Sequence, residues 1–460
     1  MNRGVSKMEE ETDKLSPEVK KEIEDFIADW MTENKVPGMS ISIVKGDEKI
    51  YTRGFGARDL KDNFPATPDT LYGMASVTKS FTALAILKLV ERSELNLDDD
   101  ITDYVLTEWD NDVTVYNLLT HSSGMPSLGV SEALIDRLIE MDERGLPLSD
   151  LDDFYTHLNN AKEEIAAEPG EEFFYFNSGY ALLGQIIEKV SGKSFPEFIH
   201  DEIFKPLNME RSRFEYDEEE EDIMTPYFMG EEGPEETPYP LREIGHPGGG
   251  LLSSANDLAN YLIMNMNGGK FDGQQLVDPE LLEKAHDSHI TRETGDYGFG
   301  WAVKEFDGEK FVGHGGSIAV SGGFIGFVED IGIAICGNTI PGSSYEEVAK
   351  RIIKTVKGED GSELTYFKRN ERMDKLTGTY KSYRGIKEME IEKEFGLLKL
   401  TVKERLESTK VILIPETKDV EGYQFYYLDG NGEKNSVRFE VKEDGDIDLF
   451  LGRWRLHKED

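Results

Sequence analysis

The sequence of 460 residues predicts an α+β protein in two parts. The first part is an antiparallel sheet flanked by helices, together with an all-α region, and the second is a small all-β barrel. Strand-like segments at both ends of residues 1–357 surround a helical middle, which predicts the first part. After the polar, glycine-containing break at Gly358–Ser362, strand-like segments recur about every eight to twelve residues, which predicts the second.

The first elements follow from local signals. Ser16 is a favourable N-cap and Pro17 a favourable first helical residue, so we expect a helix from there to about Glu33. Strand-like residues at 38–45 and 49–54 flank a Gly-Asp dipeptide, which is typical of a turn. These residues therefore predict a hairpin.

The remaining elements of the first part alternate between helical and strand patterns. A helical region is expected from Ser76 to about Leu207, a further helix at 254–267, and a closing helix at 345–357. Between the last two helices we expect four antiparallel strands, at 297–303, 310–314, 322–328 and 331–337.

The C-terminal part contains about seven or eight predicted short strands separated by turn signals. These signals are Phe395–Gly396, Asp429–Gly432 and Asp444–Gly445. The predicted organisation is therefore a domain at 1–357, a linker at 358–372 and a barrel at 373–460. Such a barrel either provides a ligand pocket or lid, or supports assembly and solubility, and we favour the second alternative.

Four short signals occur in one order along the first part. They are Ser76-Val77-Thr78-Lys79, Tyr175-Phe176-Asn177, His246-Pro247-Gly248-Gly249-Gly250-Leu251 and His314-Gly315-Gly316. The first places a hydroxyl and an amine one helical turn apart on one face. The last places an imidazole before two glycines, which permit close approach of the backbone to a ligand. Read as S-x-x-K, Y-x-N and H-x-G, the set is typical of a serine hydrolase that transfers acyl groups with a lysine partner.

Each short signal also has an ordinary structural explanation. A lone residue of these types is equally compatible with an N-cap, a solvated helix position, a half-buried aromatic ring or a turn. The context of Ser76 changes this, because residues 74–90 are apolar nearly all round the predicted helix, which indicates burial. An unpaired Lys79 ammonium is costly there, and a functional partner is its usual justification.

Two longer segments are more specific than the short signals. Residues 118–125, Leu-Leu-Thr-His-Ser-Ser-Gly-Met, are similar to the LLTHTSG segment of the β-lactamase-like and penicillin-binding serine hydrolases, and residues 248–259 to the GGL-S-A-DLA segment of the same family. The resemblance covers about residues 16–357 and is to the branch that holds class C β-lactamases, D-aminopeptidases and esterases. The C-terminal part resembles the lipocalin-like domain of some members. His314 stands where true β-lactamases carry the lysine of Lys-Thr-Gly, and histidine there is commoner among peptidases and esterases.

The resemblance and the chemistry of the side chains together imply catalytic roles. Ser76 would attack the substrate and form an acyl-enzyme. Its hydroxyl needs a base, and Lys79 serves only if burial and nearby positive groups lower its pKa from about 10.4. Tyr175 occupies the position of the family's second acid/base group, which relays a proton to the leaving group and activates water for deacylation.

Three further residues complete the predicted site. Asn177 would hydrogen-bond the catalytic lysine or the substrate amide, and His314 would orient Tyr175 or bind a substrate carboxylate or carbonyl. By family analogy, the backbone N–H groups of Ser76 and Ser317 would form the oxyanion hole. The histidines show no metal-ligand spacing, so we expect neither a metal nor a cofactor.

Composition restricts the partners and the compartment. The formal net charge is −41, from 92 acidic and 51 basic residues, which argues against nucleic acid and anionic membranes as partners. It is compatible with an ordinary acidic surface and with adaptation to high cytosolic salt. Residues 1–11 lack the apolar region of a signal peptide, no apolar run is long enough for a transmembrane helix, and the single Cys336 cannot form an internal disulfide. We therefore expect a cytoplasmic protein.

These observations predict a hydrolase of small amides, short peptides or esters. An intracellular peptidase, including one that cleaves D-amino-acid peptides, is favoured over an esterase or a β-lactamase. The alternative is a binding or scaffold protein that kept the fold and lost turnover, and the intact serine, lysine, tyrosine and asparagine set argues against it. The natural substrate stays open, as does the oligomeric state, with a homo-oligomer among the options.

Overall fold

The structure of the protein, a computed structural model, describes residues 12–109, 112–138, 150–230, 233–240, 243–342, 344–394, 396–403 and 408–459. The expectation about a signal peptide at residues 1–11 and the turn residue Phe395 therefore lie outside the described residues. The chain forms two compact units, Met1–Ile353 and Lys354–Asp460, and each is described by itself.

The helices of the first unit surround its sheet. They are α1 (Pro17–Glu33), α2 (Thr78–Glu91), α3 (Val115–Leu119), α4 (Val130–Leu138), α5 (Leu151–Asn160), α6 (Asn177–Ser191), α7 (Phe195–Ile199), α8 (His246–Gly249), α9 (Ala255–Met266), α10 (Pro279–Ala285) and α11 (Tyr345–Val356). Ser16 caps α1 by accepting a hydrogen bond from the Val19 N–H at 3.3 Å, as predicted. The predicted helical region after Ser76 and the helices at 254–267 and 345–357 are confirmed.

The strands of the first unit form one large sheet and three short pairs. They are β1 (Gly38–Lys45), β2 (Glu48–Asp59), β3 (Phe64–Pro65), β4 (Tyr72–Gly73), β5 (Tyr227–Met229), β6 (Pro234–Glu236), β7 (Leu252–Ser253), β8 (Lys270–Phe271), β9 (Gln274–Gln275), β10 (Ile290–Arg292), β11 (Gly295–Tyr297), β12 (Ala302–Phe306), β13 (Glu309–Ser317), β14 (Gly322–Val328) and β15 (Ile331–Gly337). The large sheet has nine antiparallel strands in the order β10-β11-β12-β13-β14-β15-β1-β2-β3, so strands from both ends of the unit pair at β15 and β1. The predicted α+β architecture is confirmed.

The segment predicted as one strand at 297–303 is a corner between β11 and β12, so that prediction was wrong. Gly300 has a φ of +73°, and the Gly298 N–H donates to the Trp301 carbonyl oxygen at 2.8 Å. A side chain at Gly300 would lie 2.5 Å from the carbonyl oxygen of Lys79. The apolar residues of this segment are buried by packing at the corner, and a pattern of apolar residues does not distinguish that from a buried strand.

The second unit is a helix followed by a closed barrel of eight antiparallel strands. Its elements are α12 (Thr365–Leu376), β16 (Gly378–Lys381), β17 (Glu388–Glu394), β18 (Leu397–Lys403), β19 (Thr409–Pro415), β20 (Gln424–Leu428), β21 (Lys434–Val441), β22 (Ile447–Leu451) and β23 (Trp454–Lys458). Tyr380 on β16 pairs with Lys458 on β23, which closes the barrel. The predicted small barrel is confirmed.

Part of the segment predicted as a linker, 358–372, is helical. Gly361–Glu363 form a 3₁₀ turn, and α12 begins at Thr365. At the other end of this helix, Met373 and Leu376 are fully buried in the barrel core. The sequence did not reveal the helix because most of its residues are polar and its packing depends on contacts with strands later in the chain.

The apolar core of the first unit centres on α2. Residues 78–89 of this helix are all buried, which confirms the predicted burial around Ser76. Phe81 stacks on Tyr261 of α9 with ring centres 3.8 Å apart. Among the described residues, no helix combines the length and the apolar character that a membrane span requires.

Candidate active site

Ser76 lies in a 3₁₀ turn, Ala75–Val77, that runs directly into α2. Ala75 has a φ of +47°, in the left-handed region that costs a non-glycine residue about 1–2 kcal/mol. Packing holds this conformation, because Ala75 is fully buried and Thr78 Oγ1 donates to its carbonyl oxygen at 2.6 Å. The turn therefore holds Ser76 in a defined position at the start of a buried helix.

The Lys79 ammonium is fully buried beside this serine. Its Nζ donates to Ser76 Oγ at 3.0 Å and to the Gly248 carbonyl oxygen at 2.7 Å, and it lies 4.8 Å from the centre of the Tyr175 ring. No carboxylate in the described part of the chain lies within ion-pairing distance of it. Burial lowers the pKa of Lys79 from 10.5 to about 7, with the Glu132 carboxylate opposing the fall. The neutral form of this lysine is therefore populated near pH 7.

The glycine-rich segment at 246–251 supplies the second partner of the lysine. Two threonines of α2 hold it in place. Thr82 Oγ1 donates to the Pro247 carbonyl oxygen at 2.7 Å, and Thr78 Oγ1 accepts from the Leu251 N–H at 3.0 Å. His246 of this segment is buried, and its ring centre lies 5.5 Å from that of Phe214.

Tyr175 precedes α6 and packs on His121, with ring centres 4.3 Å apart. His121 Nδ1 accepts from the Phe176 N–H at 3.0 Å, so the proton of this neutral ring is on Nε2, which has no hydrogen-bond partner among the described residues. Burial raises the pKa of Tyr175 above its usual value of 10, and the nearby Ser76 hydroxyl and Arg292 guanidinium partly oppose the rise. Tyr175 is therefore protonated at neutral pH and able to donate.

His314 contacts Tyr297 rather than hydrogen-bonding Tyr175. The Tyr297 hydroxyl donates to His314 Nε2 at 3.0 Å, and Nδ1 donates to the Gly315 carbonyl oxygen at 2.7 Å. Among the described residues His314 forms no hydrogen bond with Tyr175, but their ring centres lie 6.4 Å apart, so the alternative in which His314 orients Tyr175 stays a prediction. Burial, and then the charge of Lys79, lower the pKa of His314 to about 3, so the ring is neutral at pH 7.

Asn177 and Ser317 both line the clefts beside Ser76. Asn177 is the first residue of α6, and Ser317 is the last residue of β13. Within the described ranges, the hydrogen bonds of Lys79 Nζ go to Ser76 Oγ and the Gly248 carbonyl oxygen, and none goes to Asn177. Of the two partners predicted for Asn177, the substrate amide remains.

Gly316 lets β13 pass close to the turn that carries Ser76. A methyl group at this position would lie 2.0 Å from the Met74 carbonyl oxygen and 3.0 Å from the Ser76 nitrogen. Any side chain would therefore force the strand away from the turn. The close approach of this backbone to a ligand, predicted from the two glycines after His314, stays a prediction.

Two clefts of opposite character open at Ser76. The first, which we call the apolar cleft, has a volume of about 80 Å³. Its apolar lining includes Val130, Leu134, Ile135, Ala181, Ile244 and Ile318. The second, the polar groove, has a volume of about 690 Å³. Its lining includes Glu132, Tyr175, Arg292, Thr294, Lys304 and His314.

Four residues of this site were not singled out in the sequence. They are His121, Glu132, Arg292 and Tyr297. His121 was noted only as part of a family segment, and the other three belong to no motif. The fold brings them to Ser76 from α4, from the edge strands of the sheet and from the loop after α3. Within the described ranges, no group of acidic, histidine and cysteine side chains is arranged to hold a metal ion.

Comparisons with known proteins agree with this geometry. A family model described as "Beta-lactamase" matches residues 23–354. The chain belongs to the β-lactamase family. A second model, described as "Pab87 octamerisation domain", matches residues 361–457 of this family member. Both parts of the resemblance seen in the sequence, the hydrolase family and a separate C-terminal barrel, are thus confirmed.

Individual relatives of this β-lactamase family member share its fold or parts of its sequence. The octameric penicillin-binding protein homologue from Pyrococcus abyssi is 37% identical with a TM-score of 0.88, over 95% of this chain and 100% of that chain. Protein flp from Staphylococcus aureus (strain N315) is 34% identical over 207 residues, which are 44% of this chain and 39% of flp. Penicillin-binding protein 4* from Bacillus subtilis (strain 168) is 27% identical over 316 residues, 60% of this chain and 62% of that protein. The chain therefore spans less than two thirds of either curated relative.

Proposed function

We propose that this protein is a serine hydrolase that forms an acyl-enzyme on Ser76 with small amide, peptide or ester substrates. The observation that carries the proposal is the state of Lys79, which is buried 3.0 Å from Ser76 Oγ with a pKa of about 7. A buried lysine without a carboxylate partner reduces stability. A role as general base explains why the fold retains it.

In the acylation step, neutral Lys79 accepts the Ser76 proton as Oγ attacks the substrate carbonyl carbon. The carbonyl oxygen takes the negative charge and accepts hydrogen bonds from the backbone N–H groups of Ser76 and Ser317. When the carbonyl re-forms, the bond to the leaving nitrogen or oxygen breaks. That atom takes a proton from the Tyr175 hydroxyl, which Lys79 re-protonates, and the acyl group stays on Ser76.

In the deacylation step, water attacks the acyl carbonyl carbon and gives a proton to the neutral Lys79 through the Tyr175 hydroxyl. The bond between the acyl carbon and Ser76 Oγ breaks, and Oγ regains a proton from the lysine. The free acid leaves, and both catalytic groups return to their starting protonation states. His121, packed against Tyr175, keeps the phenol in position during both steps.

Peptides and esters are favoured over β-lactams as substrates. At the position of His314, β-lactamases carry a lysine, whose charge lies near the β-lactam carboxylate. With a pKa of about 3, His314 supplies no such charge at neutral pH. We therefore propose a peptidase or esterase, including one for D-amino-acid peptides, and expect slow turnover of cephalosporins.

We propose further that the barrel supports self-association. One relative is octameric by its description, and the barrel sequence matches a model described as an octamerisation domain. The barrel interior is filled by buried apolar side chains such as Leu398, Leu400 and Leu413, which favours assembly over a ligand pocket. Analytical ultracentrifugation of the full chain and of a chain ending near Lys357 tests this proposal. If both assemblies contain the same number of subunits, the proposal is contradicted.

A fluorophosphonate probe tests the proposed nucleophile directly. Intact-mass analysis and peptide mapping should show one label, on Ser76, and none on the Ser76→Ala protein. A screen of D- and L-aminoacyl amides, short esters and a chromogenic cephalosporin then identifies the substrate class. Labelling of another residue, or labelling that survives in Ser76→Ala, would remove the basis of the proposal.

A further inference from the structure

Two side chains of opposite charge line the polar groove without an ion-pair partner. Glu132 lies on α4 and Arg292 at the end of β10, and both line the groove together with Ser76. Within the described part of the chain neither forms a salt bridge, and they do not pair with each other. The lysine of the groove differs, because Lys304 donates to both carboxylate oxygens of Glu346, at 2.8 and 2.7 Å.

Two aromatic rings hold the Arg292 guanidinium. Its carbon lies 5.9 Å from the centre of the Phe173 ring and 5.6 Å from that of Tyr297. The Nε atom is shielded from solvent and has no acceptor among the described residues. Since Tyr297 also hydrogen-bonds His314, the cation is positioned relative to the catalytic centre. A guanidinium that lines the groove and is held between two rings is suited to bind a carboxylate that enters the groove.

Glu132 lies between the two clefts. Val130 and Leu134 of the same helix line the apolar cleft, whereas Glu132 is exposed and lines the polar groove. Its charge opposes the fall that burial causes in the pKa of Lys79 and adds to the rise that burial causes in the pKa of Tyr175. Glu132 is therefore near the reacting atoms and next to the wall where an apolar group would enter.

We propose that this site selects short peptides with both ends free, in which Arg292 binds the carboxylate of the leaving residue and Glu132 binds the ammonium of the acyl residue. The inference rests on the proposed function, because it names the substrate class of the same site. The side chain of the acyl residue enters the apolar cleft beside Glu132. Since each added residue separates the two ends by about 3.3–3.6 Å, only a short peptide whose length matches the separation of Arg292 and Glu132 has both ends bound.

One dipeptide in four versions tests the proposal on the full chain. The peptide is leucyl-alanine, in L and D forms, with both ends free, with the amine acetylated, with the carboxylate amidated, or with both ends blocked. For the wild type, each block should lower kcat/KM by about 10- to 100-fold, since it removes one charged hydrogen bond. In Arg292→Gln the effect of amidation should disappear, and in Glu132→Gln the effect of acetylation should disappear.

A matched variant and a binding measurement complete the design. Glu293→Gln changes the charge next to Arg292 without altering a residue of the groove lining, and it should keep the wild-type ratios. Calorimetric titration of Ser76→Ala protein with the four peptides should show the same order in Kd. This readout does not depend on turnover, so it separates failure of the inference from failure of the proposed hydrolase.

Three results would overturn the proposal. The first is that blocked peptides are cleaved, or bound by Ser76→Ala, as well as the free peptide. The second is that Arg292→Gln lowers kcat/KM for all four versions by one common factor, which indicates a structural role. The third is that Ser76 is labelled and a neutral ester is hydrolysed while the free dipeptide neither reacts nor competes. A protein that binds the free dipeptide selectively but never reacts at Ser76 would contradict the proposed function alone.

Discussion

Lys79 in the hydrolase unit and Asp448 in the barrel are both buried charged residues, but their surroundings are opposite. Lys79 is 0% exposed, and among the described residues its hydrogen-bond acceptors are a hydroxyl and a carbonyl oxygen. The Asp448 side chain is 1% exposed. Its carboxylate oxygens lie 2.6 Å from Arg455 Nη2, 2.6 Å from His457 Nδ1 and 3.2 Å from Lys442 Nζ. The first charge has no counter-ion among the described residues, and the second has two, Arg455 and Lys442, together with a hydrogen-bonded histidine.

The difference separates a charge for which we propose a catalytic function from one that is structural. Burial without a counter-ion brings the pKa of Lys79 to about 7, where it can exchange a proton during catalysis. Burial acts to raise the pKa of Asp448, but the hydrogen bonds from Arg455, His457 and Lys442 outweigh it, and the pKa falls below its usual value. Asp448 therefore stays ionised and ties β22 to its neighbours.

The largest effect should come from removing the charge that has no counter-ion. Lys79→Met should lower kcat by about 10²- to 10⁴-fold, because Ser76 loses its general base, while the fold is retained. Lys88→Met is the matched control, since Lys88 is a mostly buried lysine of the same helix whose Nζ donates to the Leu276 carbonyl oxygen at 2.7 Å. Steady-state kinetics and circular dichroism of both variants check this, and near-normal kcat in Lys79→Met would refute the assignment.

The pH dependence should be the next largest effect. Because only neutral Lys79 accepts the Ser76 proton, kcat/KM should rise with pH through about 7 and level off above pH 8. It should fall about tenfold per pH unit well below 7. If kcat/KM instead falls only below about pH 3 to 4, the titrating group would be His314, whose pKa is about 3.

The lowered pKa of Lys79 also predicts a pH-dependent change in folding stability, which can be measured independently of catalysis. Between pH 7 and 10.5 the unfolded chain carries a proton on Lys79 that the folded chain lacks, so folding stability should rise with pH across this window. Lys79→Met should lack this contribution. Chemical denaturation of the wild type and the variant at pH 7.5 and 9.5 measures the difference, and identical pH slopes would contradict the depressed pKa.

Removing the charge that has counter-ions should affect stability and not chemistry. Asp448→Asn should lower the free energy of unfolding of the barrel by about 1–3 kcal/mol, less than for a fully buried pair because Arg455 and His457 are 54% and 56% exposed. The control is Asp446→Asn, at a side chain that is 71% exposed, where a change within about 0.5 kcal/mol is expected. Hydrogen exchange of the barrel strands reports the loss, and an equal effect of both variants would argue against a structural network at Asp448.

The smallest effect should come from a neutral buried group. Tyr297→Phe removes the hydrogen bond to His314 Nε2 and should lower kcat/KM by about 2- to 10-fold. The pH at which kcat/KM falls on the acid side, the acid limb of the profile, should not change. A shift of that limb would show that His314, rather than Lys79, titrates in the active range.

Local features of this site were predictable from the sequence. The S-x-x-K spacing places the lysine one turn from Ser76, and the observed 3.0 Å hydrogen bond follows from helical geometry. The cap at Ser16, the hairpin of β1 and β2, and the short barrel strands likewise depend on residues a few positions apart. Such elements form because propensity, capping and turn chemistry act over one or two turns of chain.

Tertiary structure alone decided the chemistry around these local elements. It gave Gly248, rather than Asn177, to the Lys79 ammonium, and Tyr297, rather than Tyr175, to His314. It also made a helix from much of a segment whose composition suggested a linker. These outcomes depend on which distant segments pack together and in what register, and neither spacing nor composition encodes that directly. The sequence by itself thus predicted Ser76 and Lys79 as candidate nucleophile and base, whereas packing determined the lowered pKa of Lys79 and the charges that line the groove beside them.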